Sequence, residues 1–397
     1  MGRSSAWAVR GVVAGAGAGL VLYGLLADGH WAERHVLTSY CATNPAEWVL
    51  GRALPWIALA LGVLASTKLA AVLARRAQRA SLRGRAGTLV GIAIAIAGSV
   101  AVTELHMRRL YERLALGGPA SPSGGREVPM ARPDPRLGWS YFPERTTWVQ
   151  IGGRRLAYAI DAEGDRAASV DDRSDPDRPT VVFTGESIAF GYGLAYEETI
   201  PFLVGRDLGV QAINLAVVGY GNDQAYLRLL DALPKYRHPV AIVTLFVPNQ
   251  IRRNVDDWRP RLALAPDGAL ALVPPSTGPR IAKLLQALPF HGDDALRVTA
   301  AVLRATAQTA RARGAFPLFV VTNYGSACLR DDGDESWVVK ELFVRQGLPF
   351  VRVDLGPEDR LPGLYERHPS LRGTRAIAAA VERALSEHLG TRTVGAR

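Results

Sequence analysis

Ser187 is the residue whose setting first indicates chemistry. It lies in "TGESIAFGYG" (184–193), after the apolar and β-branched residues 180–183 and among three glycines. An apolar run that ends at a glycine predicts a buried strand, and residues just beyond such a strand face the ligand-binding edge of an open α/β sheet. A serine hydroxyl attacks well only when a base removes its proton. Ser187 is therefore either a nucleophile supported by other residues or an ordinary turn serine.

Three further stretches contain residues that could support such a nucleophile. Gly219 lies in "NLAVVGYGND" (214–223), Asn249 in "FVPNQ" (246–250) and His368 in "ERHPSLRGTRAIA" (366–378). A glycine lets the backbone approach a substrate closely, so the Gly219 N–H can act as a donor. The Asn249 amide can donate to an oxyanion, and a histidine can act as the base. The following residues 252–254 are either a solvated basic loop or a contact for an anionic or sugar substrate.

The elements around these residues predict an α/β domain. The strand candidates are 180–185, 211–216, 240–247, 317–323 and 349–355, and the helix candidates are 199–208, 223–233, 295–313 and 337–346. Continuous apolar strands that alternate with helices indicate a parallel sheet covered on both faces. All four chemical stretches then follow strand ends and meet at one edge. Before them, residues 147–151 and 154–160 predict a hairpin, and the polar stretch 161–178 predicts an exposed loop.

In this order, the four stretches resemble the SGNH or GDSL-type hydrolases, a family named for a serine, a glycine, an asparagine and a histidine. The resemblance covers about residues 180–389. It implies a flavodoxin-like three-layer α/β/α fold with a five-stranded parallel sheet, and esterase, lipase, deacetylase or acyltransferase chemistry. It also implies that Ser187 is the nucleophile, that His368 is the base, and that the oxyanion donors are the Ser187 N–H, the Gly219 N–H and the Asn249 amide. It implies no cofactor and no metal.

Two positions depart from the pattern of that family. Glu186 stands where the family usually has an aspartate, a change expected to alter a supporting hydrogen bond more than the chemistry. Tyr365 stands three residues before His368, where the family usually has the acid of the triad. Glu366 is the nearest carboxylate and the first candidate for that role, and Asp359 is the second. A Ser–His dyad without an acid would be slower, because the imidazolium would lack stabilisation.

The first 115 residues predict a membrane anchor. Apolar segments at 11–27, 53–73 and 87–103 are close to the length that spans a bilayer, and 116–138 is rich in Gly, Pro and Ser and predicts a tether to a domain at 139–397. Basic residues collect in cytoplasmic loops. The cluster between the second and third segments consists of Arg75, Arg76, Arg79, Arg83 and Arg85. This pattern predicts a multi-pass protein of the cytoplasmic membrane with its C-terminal domain outside the cytoplasm.

The composition narrows the expected partners. The 397-residue chain has a net charge of +10, but much of it belongs to the arginines between the apolar segments, and no basic motif with interleaved aromatics is present. Nucleic acid is therefore not an expected partner. Cys41 and Cys328 lack zinc-ligand spacing and are either unpaired thiols or, if both lie outside the membrane, a disulfide.

The sequence leaves two interpretations of the function. The first is a membrane-anchored extracytoplasmic serine ester hydrolase or O-acyltransferase that acts on acyl or acetyl esters of a small molecule, an envelope glycan or a lipid. The second is a catalytically degenerate domain of the same fold that binds a cell-envelope glycan or a partner protein. The stretch "GESIA" also half-matches the G-x-S-x-G elbow of α/β-hydrolases, but Ala189 replaces its second glycine.

Overall fold

The structure is a computed structural model of the chain. It describes residues 2–26, 45–79, 94, 97–98, 100–102, 104–105, 130–257, 259–275, 292–323, 335–362 and 368–394. The described residues before 110 belong to one compact unit, and those from 130 onward belong to a second.

The N-terminal unit contains long apolar helices. They are α1 (Gly2–Leu26), α2 (Pro45–Leu64), which continues through a π-helical turn (Ala65–Leu69), and α3 (Ala70–Arg79). Among the described residues, one helical stretch, Ala53–Arg75, is long and apolar enough to cross a membrane, with a mean hydropathy of 2.0, and Arg10–Leu26 is a shorter apolar helix. Both coincide with predicted spans. The third predicted span, 87–103, lies for the most part outside the described residues, as do Cys41 and Cys328.

Helices α1 and α2 approach each other closely at glycines. A Cβ placed on Gly62 would lie 2.6 Å from the carbonyl oxygen of Gly17, and one placed on Gly24 would lie 2.6 Å from the carbonyl oxygen of Pro55. No side chain larger than hydrogen fits at these positions without moving the helices apart. Trp7 and Trp56, by contrast, are exposed on this unit.

The second unit is an α/β domain built on a large mixed sheet. Its strands are β1 (Ala131–Asp134), β2 (Gly138–Tyr141), β3 (Arg145–Ile151), β4 (Arg154–Ile160), β5 (Arg166–Ala167), β6 (Thr180–Thr184), β7 (Gln211–Asn214), β8 (Pro239–Phe246), β9 (Arg261–Leu264), β10 (Leu270–Val273), β11 (Phe316–Asn323) and β12 (Phe350–Asp354). Eight of them form one sheet in the order β12-β11-β8-β6-β7-β5-β4-β3, while β1 pairs with β2 and β9 with β10 in two hairpins.

Seven α-helices of the domain are described. They are α4 (Ser187–Phe190), α5 (Ile200–Leu208), α6 (Asn222–Ala232), α7 (Asn249–Arg253), α8 (Gly292–Ala312), α9 (Glu335–Val339) and α10 (Leu371–Val394). Glycine ends α5 as expected, because Gly209 adopts the left-handed conformation that closes the last turn. The predicted helix at 337–346 is instead α9 followed by a π-helical segment (Lys340–Val344).

The five predicted parallel strands are confirmed, but the sheet is larger than predicted. Strands β6, β7, β8, β11 and β12 run parallel in the order 2-1-3-4-5 that doubly wound flavodoxin-like sheets show. The predicted hairpin forms as β3 and β4, and the short strand β5 joins it to β7 through a pair between Arg166 and Asn214. The sheet is therefore eight-stranded and mixed, because β5 pairs with the edge of β7 that a five-stranded sheet would leave open, and the hairpin extends the sheet beyond β5.

The start of the domain and its polar segment also differ from the predictions. Met130 and Leu137 are buried, so the domain already includes the last residues of the predicted tether. The segment 161–178 is not simply an exposed loop, because Asp165 and Arg166 near its start are buried. Asp165 accepts a hydrogen bond from Arg228 at 2.5 Å, and this ion pair offsets only part of the cost of burial, which raises the pKa of Asp165 to about 6. Polar composition alone cannot reveal such a distant partner.

Helices cover both faces of the parallel strands. In β6, Val182 belongs to a buried cluster with Leu229 of α6 and Ala310 of α8. Its neighbours Val181 and Phe183 point to the other face, because side chains alternate along a strand, and belong to the cluster that holds residues of α5 and α10. The parallel strands end together at one edge of the sheet, and the segments that follow β6, β7, β8 and β12 carry the predicted site residues.

Candidate active site

Ser187 is the first residue of a short helix that begins immediately beyond β6. Gly185 makes the turn with φ of +145°, and a Cβ there would lie 3.1 Å from the carbonyl oxygen of Leu245, so only glycine fits. Glu186 caps the helix, because its Oε1 accepts the backbone N–H of Ile188 at 3.2 Å. Gly191 ends the helix in the left-handed conformation. The backbone therefore holds Ser187, which is only 6% exposed, in one defined position.

His368 meets Ser187 across the edge of the sheet. Its Nε2 lies 2.9 Å from Ser187 Oγ, although 181 positions separate the two residues. The segment around His368 is held by a hydrogen bond from Leu361 N–H to the His368 carbonyl oxygen at 2.9 Å. The imidazole ring packs against Tyr192, with ring centroids 4.6 Å apart. The structure thus brings together the predicted nucleophile and the predicted base at hydrogen-bond distance.

Glu186 is the carboxylate in contact with Ser187. Its Oε2 lies 2.5 Å from Ser187 Oγ and 3.4 Å from Arg253 Nη1, and the same Arg253 nitrogen donates to the Tyr220 carbonyl oxygen at 3.0 Å. Burial favours the neutral acid, but the positive charges of Arg253 and His368, together with hydrogen bonds from Ser187, outweigh it and lower the pKa of Glu186. A buried anion, only 3% exposed, therefore lies beside the hydroxyl.

Gly219 and Asn249 lie on the neighbouring loops. Gly219, between β7 and α6, adopts φ of +84°, and a Cβ there would lie 3.3 Å from the ring of Trp139. Its carbonyl oxygen accepts Arg259 Nη1 at 2.9 Å, which fixes the orientation of this peptide. Asn249 is the first residue of α7, directly after β8. Its side chain lies outside what the structure describes, so its role as an oxyanion donor stays a prediction.

Of the two candidates for the acid of the triad, the structure describes one. Glu366 lies outside the described residues. Asp359 is described, and its carboxylate has partners of its own: Oδ2 accepts the Gly356 N–H at 3.0 Å, and Oδ1 lies 3.0 Å from Arg372 Nε. Among the described residues, no hydrogen bond or ion pair joins the Asp359 carboxylate to His368. Asp359 would have to leave these partners to orient the imidazole.

Sequence reasoning missed the pairing of Glu186 with Arg253 and the packing of Tyr192 on His368. It treated residues 252–254 as a solvated loop or a substrate contact, whereas Arg253 neutralises a buried acid and Asn254 is buried, donating to Thr299 Oγ1 at 2.7 Å. The pairing of Glu186 with Arg253 could have been suspected from Glu186 itself, because a glutamate that follows a buried strand is stabilised by a nearby cation. Among the described residues no group of three or more His, Cys, Asp or Glu is placed to hold a metal ion.

No protein-family model and no curated protein matches the sequence. Several solved structures resemble the chain. A lipolytic-type protein of the G-D-S-L family from Desulfitobacterium hafniense DCB-2 shares 14% identity at a TM-score of 0.32, over 52% of this chain and 98% of that one. The acetyl xylan esterase Est2A from the rumen bacterium Butyrivibrio proteoclasticus shares 12% sequence identity at a TM-score of 0.34, and the match covers 55% of this chain and 66% of that one. The SGNH-hydrolase family esterase AlinE4 shares 16% sequence identity at a TM-score of 0.28, and the match covers 55% of this chain and 99% of that one. At these identities and TM-scores the similarities establish neither a family nor an activity for this chain.

Proposed function

We propose that the α/β domain is a serine ester hydrolase or O-acyltransferase that works through an acyl-enzyme on Ser187. The observation that carries this proposal is the distance of 2.9 Å between Ser187 Oγ and His368 Nε2 at the edge of the sheet where the parallel strands end. A base in direct contact with the hydroxyl is what a serine needs to become a nucleophile. Nothing in a turn or a helix cap requires a histidine at that point.

The reaction would proceed in two halves. Ser187 Oγ forms a bond to the carbonyl carbon of the ester while its proton passes to His368 Nε2. The tetrahedral oxyanion is stabilised by the backbone N–H groups of Ser187 and Gly219 and by the Asn249 amide. Collapse of this intermediate breaks the bond to the alcohol, which leaves with the proton from Nε2. Water, or the hydroxyl of an acceptor, then attacks the acyl-enzyme with His368 again as base, giving hydrolysis or acyl transfer.

The orientation of His368 requires a group at its other ring nitrogen. We assign this role to Glu366, two residues earlier in the chain, because a carboxylate at Nδ1 selects the tautomer whose Nε2 can accept a proton. Asp359 is the second candidate.

We also propose that the N-terminal unit anchors the domain to a membrane. Large apolar side chains of α1 and α2 are exposed while glycines make the contact between the helices, and small residues at helix contacts are typical of membrane bundles. By the positive-inside rule, the arginines after α2 favour a cytoplasmic location for that end of the anchor. The predicted third span at 87–103 would then lead to an α/β domain outside the cytoplasm. The substrates are then acyl or acetyl esters of envelope glycans or of lipids.

One observation favours a second function. Tyr365 occupies the position of the family's triad acid, so the domain could instead bind an envelope glycan or a partner protein without turning it over. The contact between Ser187 and His368 favours the enzyme.

The Ser187→Ala substitution tests the proposal. The full-length protein in detergent is expected to hydrolyse p-nitrophenyl acetate, and Ser187→Ala is expected to lower kcat by about 10³-fold or more. A fluorophosphonate probe should label the wild type but not the variant. The control is Ser169→Ala, a substitution in a surface turn that should leave activity and labelling unchanged. Equal turnover by Ser187→Ala would exclude Ser187 as the nucleophile.

A further inference from the structure

The hydroxyl of Ser187 lies between two groups that compete for its proton. Glu186 Oε2 lies 2.5 Å from Oγ on one side, and His368 Nε2 lies 2.9 Å from it on the other. A hydroxyl carries one proton, so it donates to only one of them at a time. When it donates to Glu186, Nε2 must be the donor to Oγ, and His368 then cannot act as the base.

The first arrangement is favoured when His368 is an imidazolium. Nε2–H then donates to Oγ and Oγ–H donates to the carboxylate, which produces an ion pair bridged by the hydroxyl. When the imidazole is neutral at Nε2, Oγ–H turns to His368 and the site is ready to react. The carboxylate of Glu186 therefore stabilises the protonated histidine, both at low pH and each time the reaction transfers the serine proton to it.

We propose that Glu186 is a positioning residue of this site, whose buried carboxylate stabilises the imidazolium of His368 through the Ser187 hydroxyl and whose charge is moderated by Arg253. This inference rests on the proposed function. Glu186, which stands where the resembled family usually has an aspartate, then acts on the Nε2 side of the His368 ring. It is compatible with a second carboxylate at Nδ1.

The charges around Glu186 decide the sign of the effect. From α7, Arg253 faces the carboxylate, with Asp256 and Arg259 behind it, and the segment before α10 contributes His368. The interaction of Glu186 with Arg253 and His368 lowers the pKa of Glu186, so the acid is an anion throughout the range in which a histidine titrates. An anion near an imidazolium raises the pH at which the histidine loses its proton, and the neighbouring Arg253 reduces that rise.

The size of the effect follows from burial. Glu186 is almost completely buried, and two hydrogen-bond lengths join its carboxylate to the imidazole. With an intermediate effective dielectric and partial compensation by Arg253, removing the carboxylate charge should shift the titration of His368 by about one to two pH units.

The experiment measures kcat/KM for p-nitrophenyl acetate against pH, using the full-length protein in detergent. In parallel, NMR follows the titration of the His368 ring, whose signal is identified by its loss in His368→Ala. Glu186→Gln should move the midpoint of both curves down by about one to two pH units, since a neutral amide no longer stabilises the imidazolium. Glu186→Asp keeps the charge and should hold the midpoint near that of the wild type.

A matched control is Glu341→Gln, which neutralises a glutamate paired with Arg345 in the π-helical segment and should move neither curve. A folded Glu186→Gln protein with an unmoved midpoint would overturn the inference. If that variant does not fold, Glu186→Ser decides, because its hydroxyl can still cap α4 without carrying a charge: a downward shift supports the inference, and an unmoved midpoint overturns it. Activity that survives Ser187→Ala would instead refute the proposed function, while the NMR titration would still report on Glu186 and His368.

Discussion

At Ser187, the hydroxyl contacts an imidazole, which is the proposed base, and a buried carboxylate. A glutamate beside a nucleophilic serine opposes the build-up of negative charge on Oγ, yet it favours the cation that forms on His368. Arg253 weakens both effects, because its positive charge partly neutralises the carboxylate.

Asn249 is the proposed oxyanion donor whose role is most directly testable. Asn249→Ala should lower kcat by about 10²–10³-fold with little change in KM, because the amide bonds to the oxyanion only as it forms. Steady-state kinetics with p-nitrophenyl acetate measure both constants. Gln346→Ala removes an amide that pairs with Arg304 on the surface and should change neither. An unchanged kcat in Asn249→Ala would remove this side chain from the oxyanion hole.

The short helix α4 shows how an element positions Ser187, the proposed nucleophile. Only four residues long, it is held by the Glu186 cap at one end and by Gly191 at the other. A helix of one turn has little stability of its own, so the turn residues and the core beneath it determine where Ser187 lies. Phe190, on the same helix, is fully buried and packs against Tyr158 with ring centroids 5.1 Å apart.

Gly191→Ala should therefore disturb both stability and activity. Gly191 has φ of +82°, and a Cβ there would collide with the Thr199 side chain. Gly209 is the matched control, since it has φ of +64° with open space around the position of a Cβ. Gly209→Ala should cost about 1 kcal/mol from backbone strain alone, and Gly191→Ala about 2–3 kcal/mol because packing strain is added. Urea unfolding measures both, and equal losses would show that Thr199 yields without cost.

At the scale of the whole molecule, the two units differ in how much of their large apolar side chains they expose. The α/β domain buries its large apolar side chains in a continuous core, whereas the N-terminal helices expose many of theirs. Exposed apolar surface of this extent is stable in lipid rather than in water. The membrane proposal accounts for this difference.

The orientation of the anchor is tested by reporter fusions. An alkaline phosphatase fused after Arg397 should be active, because the enzyme requires disulfides that form outside the cytoplasm. The same reporter fused after Arg83, within the arginine cluster, should be inactive. Phosphatase activity of the two fusions in intact cells measures this, and the reverse pattern would invert the proposed topology.

Much of the fold was determined by local sequence. The apolar runs of the five parallel strands and the glycine that ends α5 depend on near neighbours, and these elements were predicted close to their observed bounds. The three added strands were not assigned to the sheet, because strand pairing depends on a partner distant in the chain: β5 has two residues, and its place depends on β7.

The same division applies to the site. The types and order of Ser187, Gly219, Asn249 and His368 indicated serine chemistry, since strand ends of a parallel sheet meet at one edge. The contact of Glu186 with the serine hydroxyl, and its neutralisation by Arg253, were decided only by the tertiary structure. A carboxylate's pKa and partners depend on burial and on charges a few ångströms away in space, and in this chain the charges come from residues 67 and 182 positions away.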